Sequence, residues 1–154
     1  MSARILIADD HEVVRQGIRA ILQARPDWQI CGEAVNGREA ISLTKELNPD
    51  VVIMDITMPH MSGLEASQEI AKLQLPSRVL IFTMHESKSL APSVRKAGAQ
   101  GYVVKSRAAQ DLIDALDRLL GGGTFFDNPS PSGAKEDDKP NPDILLRQAL
   151  GWGW

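Results

Sequence analysis

Charged and hydroxyl side chains follow several short apolar runs of the sequence, at the points where those runs end. Asp9 and Asp10 follow the first run, Asp55 follows the third, Thr83 ends the fourth and Lys105 follows the fifth. Because ligand sites of a doubly wound parallel sheet lie beyond the carboxyl ends of its strands, these side chains are expected to meet at one edge. Taken singly, each has an ordinary structural explanation, such as a helix cap or a turn. Their shared position indicates a site.

Three carboxylates at one sheet edge predict a magnesium site beside a phosphoacceptor. Carboxylates that lie close together repel one another unless a hard cation neutralises them, and Mg²⁺ is the expected cofactor. The carboxylate of Asp55 can then attack phosphorus and form an acyl phosphate. Lys105 and the metal would stabilise the charge on the transferring oxygens, and Thr83 would donate its hydroxyl to the phosphoryl group. The predicted chemistry is phosphoryl transfer to an aspartate.

Alternating apolar runs and helical patterns predict the elements that position these residues. Five runs are apolar enough for strands buried on both faces of a parallel sheet: 5–8, 29–34, 51–54, 79–83 and 101–104. Five amphipathic helices lie between and after them, two of them at about 38–47 and 64–73. In the fourth, Ser89 as N-cap places Pro92 at the third helical position, where no intrahelical hydrogen bond is lost. Residues 1–121 are therefore predicted as one α/β domain with a doubly wound parallel sheet.

Composition excludes several classes of protein. Seventeen Lys and Arg against 20 Asp and Glu give a net charge of −3, so no general basic field is available for nucleic acid or anionic lipid. No apolar run approaches the roughly 18 residues of a membrane span, and a cytoplasmic protein is expected. The single cysteine, Cys31, excludes a disulfide framework and is expected to be buried. His11 and His60 are placed in loops beside the acidic residues, outside any metal site.

Four motifs surround the candidate site: ILIADDH at 5–11, VIMDITMP at 52–59 with Gly63, FTMH at 82–85 and AGAQGYVVK at 97–105. Together they resemble the receiver domain of two-component response regulators, over about residues 3–121. The resemblance implies a flavodoxin-like sheet with strand order 2-1-3-4-5. It also implies a phosphorelay function, in which a sensor histidine kinase is the phosphodonor and the domain catalyses only its own phosphorylation and dephosphorylation.

The same resemblance implies a role for each residue of the acidic cluster. Asp55 would be the phosphoacceptor and also a metal ligand. Asp10 would bind Mg²⁺ directly and Asp9 through a water molecule. The backbone carbonyl of Thr57 would complete the protein ligands.

Further positions of the motifs match the switch and tuning positions of the family. Tyr102 matches the aromatic switch, which turns inward as Thr83 moves toward the phosphoryl group and so changes a surface of helix 4, strand 5 and helix 5. A downstream effector protein or a second copy would bind that surface. Thr57 and His85 flank the site where the family tunes phosphoryl lifetime, and neither orients hydrolytic water, so slow self-dephosphorylation is expected. Ser106 replaces the proline that often follows the lysine across a cis bond.

The stretch HEVVRQGI at 11–18 and the ending LLGGGTFF at 119–126 resemble the NarL/LuxR branch of the family, whose members usually continue into a helix-turn-helix domain. About 28 residues follow Phe126, with five acidic and three basic side chains. Residues 122–154 are predicted as a disordered tail, rich in proline, glycine and acidic residues, with a short apolar end. Direct binding to nucleic acid or membrane is not expected from this chain. A second hypothesis is that the chain is the receiver portion of a DNA-binding transcription regulator whose effector domain is missing.

Two further hypotheses come from different classes of protein. A small aspartyl-phosphate hydrolase typically has Asp-x-Asp after the first strand, whereas Asp9 and Asp10 are adjacent here. A nucleotide- or flavin-binding domain requires a glycine-rich turn after that strand, and this chain has Asp-Asp-His-Glu there. The residues therefore favour the receiver over both.

Overall fold

The computed structural model of the chain describes residues 2–84 and 86–126, in which five parallel strands alternate with five α-helices. Along the chain the elements are β1 (Ala3–Ala8), α1 (Glu12–Leu22), β2 (Trp28–Ala34), α2 (Gly37–Leu47), β3 (Val51–Asp55), α3 (Gly63–Lys72), β4 (Arg78–Thr83), α4 (Leu90–Lys96), β5 (Gly101–Val104), a 3-10 turn (Lys105–Arg107) and α5 (Ala108–Leu120). The strands are ordered β2-β1-β3-β4-β5. The α/β fold and the strand order are therefore confirmed.

The sheet separates two apolar layers, because successive side chains of a strand point to opposite faces. In β1, Ile5 and Ile7 pack with α1 and α5, whereas Leu6 and Ala8 pack on the face covered by α2, α3 and α4. Every residue of β3 is buried, which explains why the central strand lacks polar alternation. The carboxyl ends of all five strands consequently open at one edge.

The helices begin with different amounts of capping. In α2, the side chain of Asn36 accepts a hydrogen bond from the Glu39 N–H, and α3 begins with a capping box formed by Ser62 and Glu65. Helix α4 begins after Ser89, as predicted from Pro92, but has seven residues and no side-chain capping bond.

Within residues 2–84 and 86–126, no helix combines the length and apolarity that a membrane span requires.

Strand boundaries extend slightly beyond the apolar runs. Strands β1, β2 and β4 begin one or two residues earlier than predicted, because main-chain pairing begins before the predicted apolar runs. The Arg78 N–H, for example, already donates to the Asp50 carbonyl. The expectation of a buried Cys31 was wrong. This residue is partly exposed because β2 forms one edge of the sheet.

The chain packs against the domain beyond residue 121, where the sequence places the end of the domain. Phe125 lies alongside the start of β5: its N–H donates to the Gln100 carbonyl, and its carbonyl accepts from the Tyr102 N–H. Phe125 and Phe126 are both buried, one in each apolar layer. The predicted tail therefore cannot begin at residue 122, because these two aromatic side chains complete the core. Residues 127–154, including the predicted apolar end, lie outside the described residues.

Candidate functional site

The acidic side chains meet at the carboxyl edge of the sheet, as predicted. Ala8 pairs with Met54 across β1 and β3, so the next residues, Asp9 and Asp55, lie side by side. Both are buried, Asp9 to within 1% of full burial. One carboxylate oxygen from each of Asp9, Asp10 and Asp55 lies within 4.8 Å of the others. The fold thus holds three acidic groups in one small volume.

Lys105 is the cation that faces this cluster. Its Nζ lies 3.0 Å from Asp9 Oδ2 and 3.2 Å from Asp55 Oδ1. The side chain is largely buried, with its ammonium group 5.7 Å from the centre of the Phe82 ring. Every peptide bond of the described residues is trans, including the bond from Lys105 to Ser106. Lys105 therefore reaches the cluster from the end of β5 without a cis peptide bond.

Two buried oxygens of the cluster accept no hydrogen bond from the described residues: Asp9 Oδ2 and Asp10 Oδ1. Lys105 Nζ and His11 Nδ1 lie 3.0 Å and 3.1 Å from them, but not in hydrogen-bonding geometry. Buried polar atoms usually have partners, because leaving one unsatisfied costs free energy. Unsatisfied carboxylate oxygens are suited to a hard cation such as Mg²⁺, which prefers oxygen ligands.

Electrostatics within the cluster change the protonation of Asp55. Burial raises the pKa of the Asp55 carboxyl above its ordinary value, and the nearby negative charge of Asp9 raises it further. Lys105 and a hydrogen bond from the Thr57 backbone oppose this rise in pKa without cancelling it. The ionised form of Asp55 is therefore costly in the protein alone, and added positive charge would favour it.

His11 lies in a loop beside the acidic residues, as predicted, and its ring nitrogen is close enough to be among the groups that could hold a metal ion. That His11 is not itself a metal ligand stays a prediction. Its backbone N–H donates to Asp9 Oδ1 at 2.9 Å, and its Nδ1 lies 3.2 Å from Asp9 Oδ1 and 3.1 Å from Asp10 Oδ1. The ring itself is mostly exposed. Its position directly after two aspartates was the available signal. His60 occupies an exposed loop with a left-handed backbone and is not among these residues.

The hydroxyl-bearing residues lie at the other end of the site. Thr83, one residue beyond the Phe82 that pairs with Asp55, is buried at the end of β4. Tyr102 is buried in β5, and its hydroxyl donates to Glu86 Oε2 at 3.0 Å. Glu86 was not predicted from the sequence, because it is an exposed loop residue with no motif of its own. Thr57 is exposed after β3, and His85 lies outside the described residues.

Comparison with known proteins gives one family and many relatives. The family model for the response regulator receiver domain matches residues 5–117. The chain is 34% identical over 123 residues to the transcriptional regulatory protein DegU of Brevibacillus brevis, covering 80% of this chain and 52% of that protein. It is 34% identical over 120 residues to the nitrate/nitrite response regulator protein NarL of Escherichia coli, covering 78% of this chain and 56% of that protein. The chain therefore spans about half the length of these curated relatives.

A solved structure shows the same architecture. The two-component response regulator of the LuxR family from Aurantimonas sp. superposes with a TM-score of 0.78 at 39% identity, covering 86% of this chain and 92% of that one. The receiver domain of the response regulator NarL from Mycobacterium tuberculosis superposes with a TM-score of 0.75 at 28% identity, covering 79% and 98% of the two chains. The likeness thus extends from the motifs to the arrangement of the whole sheet.

Proposed function

The chain belongs to the response regulator receiver domain family, and we propose that it is a phosphoacceptor whose Asp55 takes a phosphoryl group from a sensor histidine kinase. The observation that carries this proposal is the cluster itself. A buried aspartate at the end of β3 faces Lys105, while oxygens of Asp9 and Asp10 are left without hydrogen bonds. The family match favours this function over that of a hydrolase or a nucleotide-binding domain.

In the proposed transfer, Asp55 is the nucleophile. A carboxylate oxygen of Asp55 attacks phosphorus, a new O–P bond forms, and the P–N bond to the kinase imidazole breaks. The leaving nitrogen keeps the electron pair and takes up a proton. Lys105 lies where its ammonium can offset negative charge on the phosphoryl oxygens. Thr83 would donate its hydroxyl to one of those oxygens once the acyl phosphate has formed.

The proposed cofactor is Mg²⁺, because the site provides the oxygen ligands it prefers. Asp9, Asp10 and Asp55 would supply carboxylate oxygens, with Asp9 acting through water, and Thr57 would supply its backbone carbonyl. When bound, the ion neutralises negative charge on the phosphoryl oxygens. Binding would also satisfy the two oxygens that accept no hydrogen bond in the protein alone.

Output is proposed to pass through the face formed by α4, β5 and α5. Tyr102 lies in β5 and contacts the loop before α4 through Glu86, so a change at Thr83 has a short route to that face. An effector protein or a second copy of the chain would bind there.

Thr57 and His85 are proposed to set the lifetime of the phosphoryl group on Asp55. The relatives DegU and NarL are named as regulators, which favours transcription control as the wider role.

Intact-mass spectrometry tests the proposal directly. The chain is incubated with acetyl phosphate or phosphoramidate, with and without MgCl₂, alongside the Asp55→Asn variant. We expect one addition of about 80 Da, dependent on Mg²⁺ and absent from the variant. After removal of the phosphodonor, the added mass should persist for longer than seconds. Failure to gain mass under any condition, or equal gain in Asp55→Asn, would contradict the proposal.

A further inference from the structure

Arg15, the fourth residue of α1, makes contacts that link three elements at one side of the site. Its Nε donates to Glu33 Oε1 at 2.7 Å, and its terminal nitrogen donates to the backbone carbonyl of Asp9, also at 2.7 Å. The Arg15 side chain is 13% exposed and that of Glu33 is 19% exposed. A largely buried guanidinium thus joins α1 and β2 to the turn that carries the acidic cluster.

The backbone of Asp9 is consequently held from both sides. Its N–H donates to the carbonyl of Ala34 at the end of β2, and its carbonyl accepts from Arg15. That carbonyl belongs to the peptide group that joins Asp9 to Asp10. Fixing the plane of this peptide group restricts ψ of Asp9 and φ of Asp10, and so restricts the directions in which both side chains leave the backbone.

We infer that Arg15 is a positioning residue for the acidic cluster: it orients the Asp9–Asp10 peptide group so that both carboxylates face the cation site. This inference rests on the proposed function. Glu33 serves Arg15 as a counter-ion that aligns the guanidinium. Residues that orient metal ligands without touching the metal commonly change metal affinity by about 10–100-fold when they are replaced.

Loss of Arg15 should change the affinity for Mg²⁺ in opposite directions through its charge and through its positioning role, so the inference can be tested. Removing a positive charge near three carboxylates would strengthen Mg²⁺ binding through electrostatics alone. Removing the group that orients Asp9 and Asp10 would weaken it. The sign of the change in affinity therefore separates the two effects.

Arg19 provides a matched control on the same helix face. It lies one turn after Arg15 and forms an ion pair with Glu33 Oε2, but it is 49% exposed and makes no contact with Asp9 among the hydrogen bonds of the described residues. Arg19→Met removes the same charge and the same kind of side chain from the same partner. A general effect of the α1 to β2 ion pairs would appear in both variants.

The experiment measures Mg²⁺ binding by the 154-residue chain through the rise in Tm as MgCl₂ is added, since a ligand of the folded state stabilises it. For Arg15→Met the Mg²⁺ dissociation constant fitted to that rise is expected to increase by about tenfold. Arg19→Met should stay within about twofold of the wild type. In metal-free protein, the backbone amide NMR signals of Asp9, Asp10 and His11 should shift in Arg15→Met and stay in place in Arg19→Met.

Three outcomes would overturn the inference: Arg15→Met binding Mg²⁺ as tightly as the wild type, binding it more tightly, or leaving the amide signals of Asp9 and Asp10 unmoved. If Arg15→Met does not fold, Arg15→Lys keeps the charge without the planar fork that reaches Glu33 and Asp9 together. It should also weaken Mg²⁺ binding, and wild-type affinity would contradict the inference. Failure of the proposed function looks different, because the wild type itself would then bind no Mg²⁺ and gain no mass.

Discussion

The two sides of the site are anchored differently. On the β1–β2 side, formed by β1, β2 and the turn 9–11, the backbone of Asp9 is hydrogen-bonded to β2 and to Arg15. On the β4–β5 side, formed by β4, β5, their connecting loop and α4, the helix has seven residues and no side-chain cap. Tyr102 reaches Glu86, which lies on the exposed loop before that helix.

From this difference we propose a separate task for each side. If the acidic residues bind a cation as proposed, hydrogen bonds that orient their turn in advance favour that binding. A face that changes on phosphorylation must have a low cost of rearrangement, and a short uncapped helix has few local bonds to break. We therefore expect the β1–β2 side to set affinity for the cation and the β4–β5 side to respond.

The outer edges of the sheet also differ. Strand β2 forms one edge, where Cys31 is partly exposed. At the other edge, Phe125 covers the start of β5 through a single parallel bridge. A side chain at Gly101 would collide with the Phe125 backbone, since its Cβ would lie 2.6 Å from the Phe125 carbonyl oxygen. The segment after α5 thus packs against the β4–β5 side of the molecule.

The largest expected effect on stability concerns that segment. Phe125→Ala should lower the free energy of unfolding by about 3–5 kcal/mol, because a fully buried aromatic side chain leaves a cavity in the layer between α5 and β5. Urea denaturation measures the loss. Thr124→Ala, an exposed neighbour, is the control and should change the free energy by less than about 0.5 kcal/mol. An equally small loss for Phe125→Ala would show that β5 does not depend on this segment.

The pKa of Asp55 depends on both sides of the site, because Asp9 approaches it from the β1–β2 side and Lys105 from the β4–β5 side. Its pKa is raised, so in metal-free protein the folded state binds this proton more tightly than the unfolded state does. Protonated Asp55 therefore contributes to the stability of the folded state. This contribution is fully present below the ordinary carboxyl pKa and is lost as the pH rises through the raised pKa of Asp55. Asp55→Asn should therefore be more stable than the wild type at neutral pH, and this difference in stability should close in acid.

Thermal unfolding of the wild type and Asp55→Asn between pH 3 and pH 8, in the presence of EDTA, measures this gap in stability between the two proteins. Added Mg²⁺ should narrow it at neutral pH, since a bound cation removes the cost of the ionised carboxylate. A gap that widens in acid would mean that Lys105 outweighs burial and Asp9, so that the β4–β5 side dominates the charge balance.

The smallest expected effect compares two serines at helix starts. Ser62→Ala should lower the free energy of unfolding by about 1 kcal/mol, because its side chain accepts from the Glu65 N–H in the capping box of α3. Ser89→Ala should cost less than about 0.3 kcal/mol, since Ser89 makes no side-chain capping bond at the start of α4. Equal losses, measured by urea denaturation, would contradict the contrast in anchoring.

Much of this architecture could be predicted because it depends on local pattern. Buried strands have continuous apolar runs in the sequence, so the strands could be predicted. The residues at the ends of those runs could then be predicted to lie at one edge of the sheet. The start of α4 followed from Ser89 and Pro92, since a proline restricts where a helix can begin. The fold brings together four residues of the cluster because they follow the carboxyl ends of parallel strands: Asp9, Asp10, Asp55 and Lys105.

The remaining features depend on contacts between distant parts of the chain. The bonds from Arg15 to Glu33 and to the Asp9 carbonyl have no sequence signature, because any exposed helix could carry an arginine at that spacing. The burial of Phe125 depends on an unpaired edge of β5, which the pattern of apolar runs does not reveal. The expectation for Cys31 was wrong because it rested on the usual burial of free cysteine and not on the edge position of β2, which the resemblance already implied.

The identity of the phosphorylated carboxylate is the most direct test of the proposed function, because three aspartates share one cluster. Chain phosphorylated by acetyl phosphate with MgCl₂ is treated with borohydride, which reduces an acyl phosphate to the alcohol and releases phosphate. Peptide mass spectrometry then locates homoserine. We expect it at position 55, with the peptides that contain Asp9 and Asp10 unchanged. Homoserine at position 9 or 10, or none in a chain that gained the phosphoryl mass, would contradict the assignment of Asp55 as the phosphoacceptor.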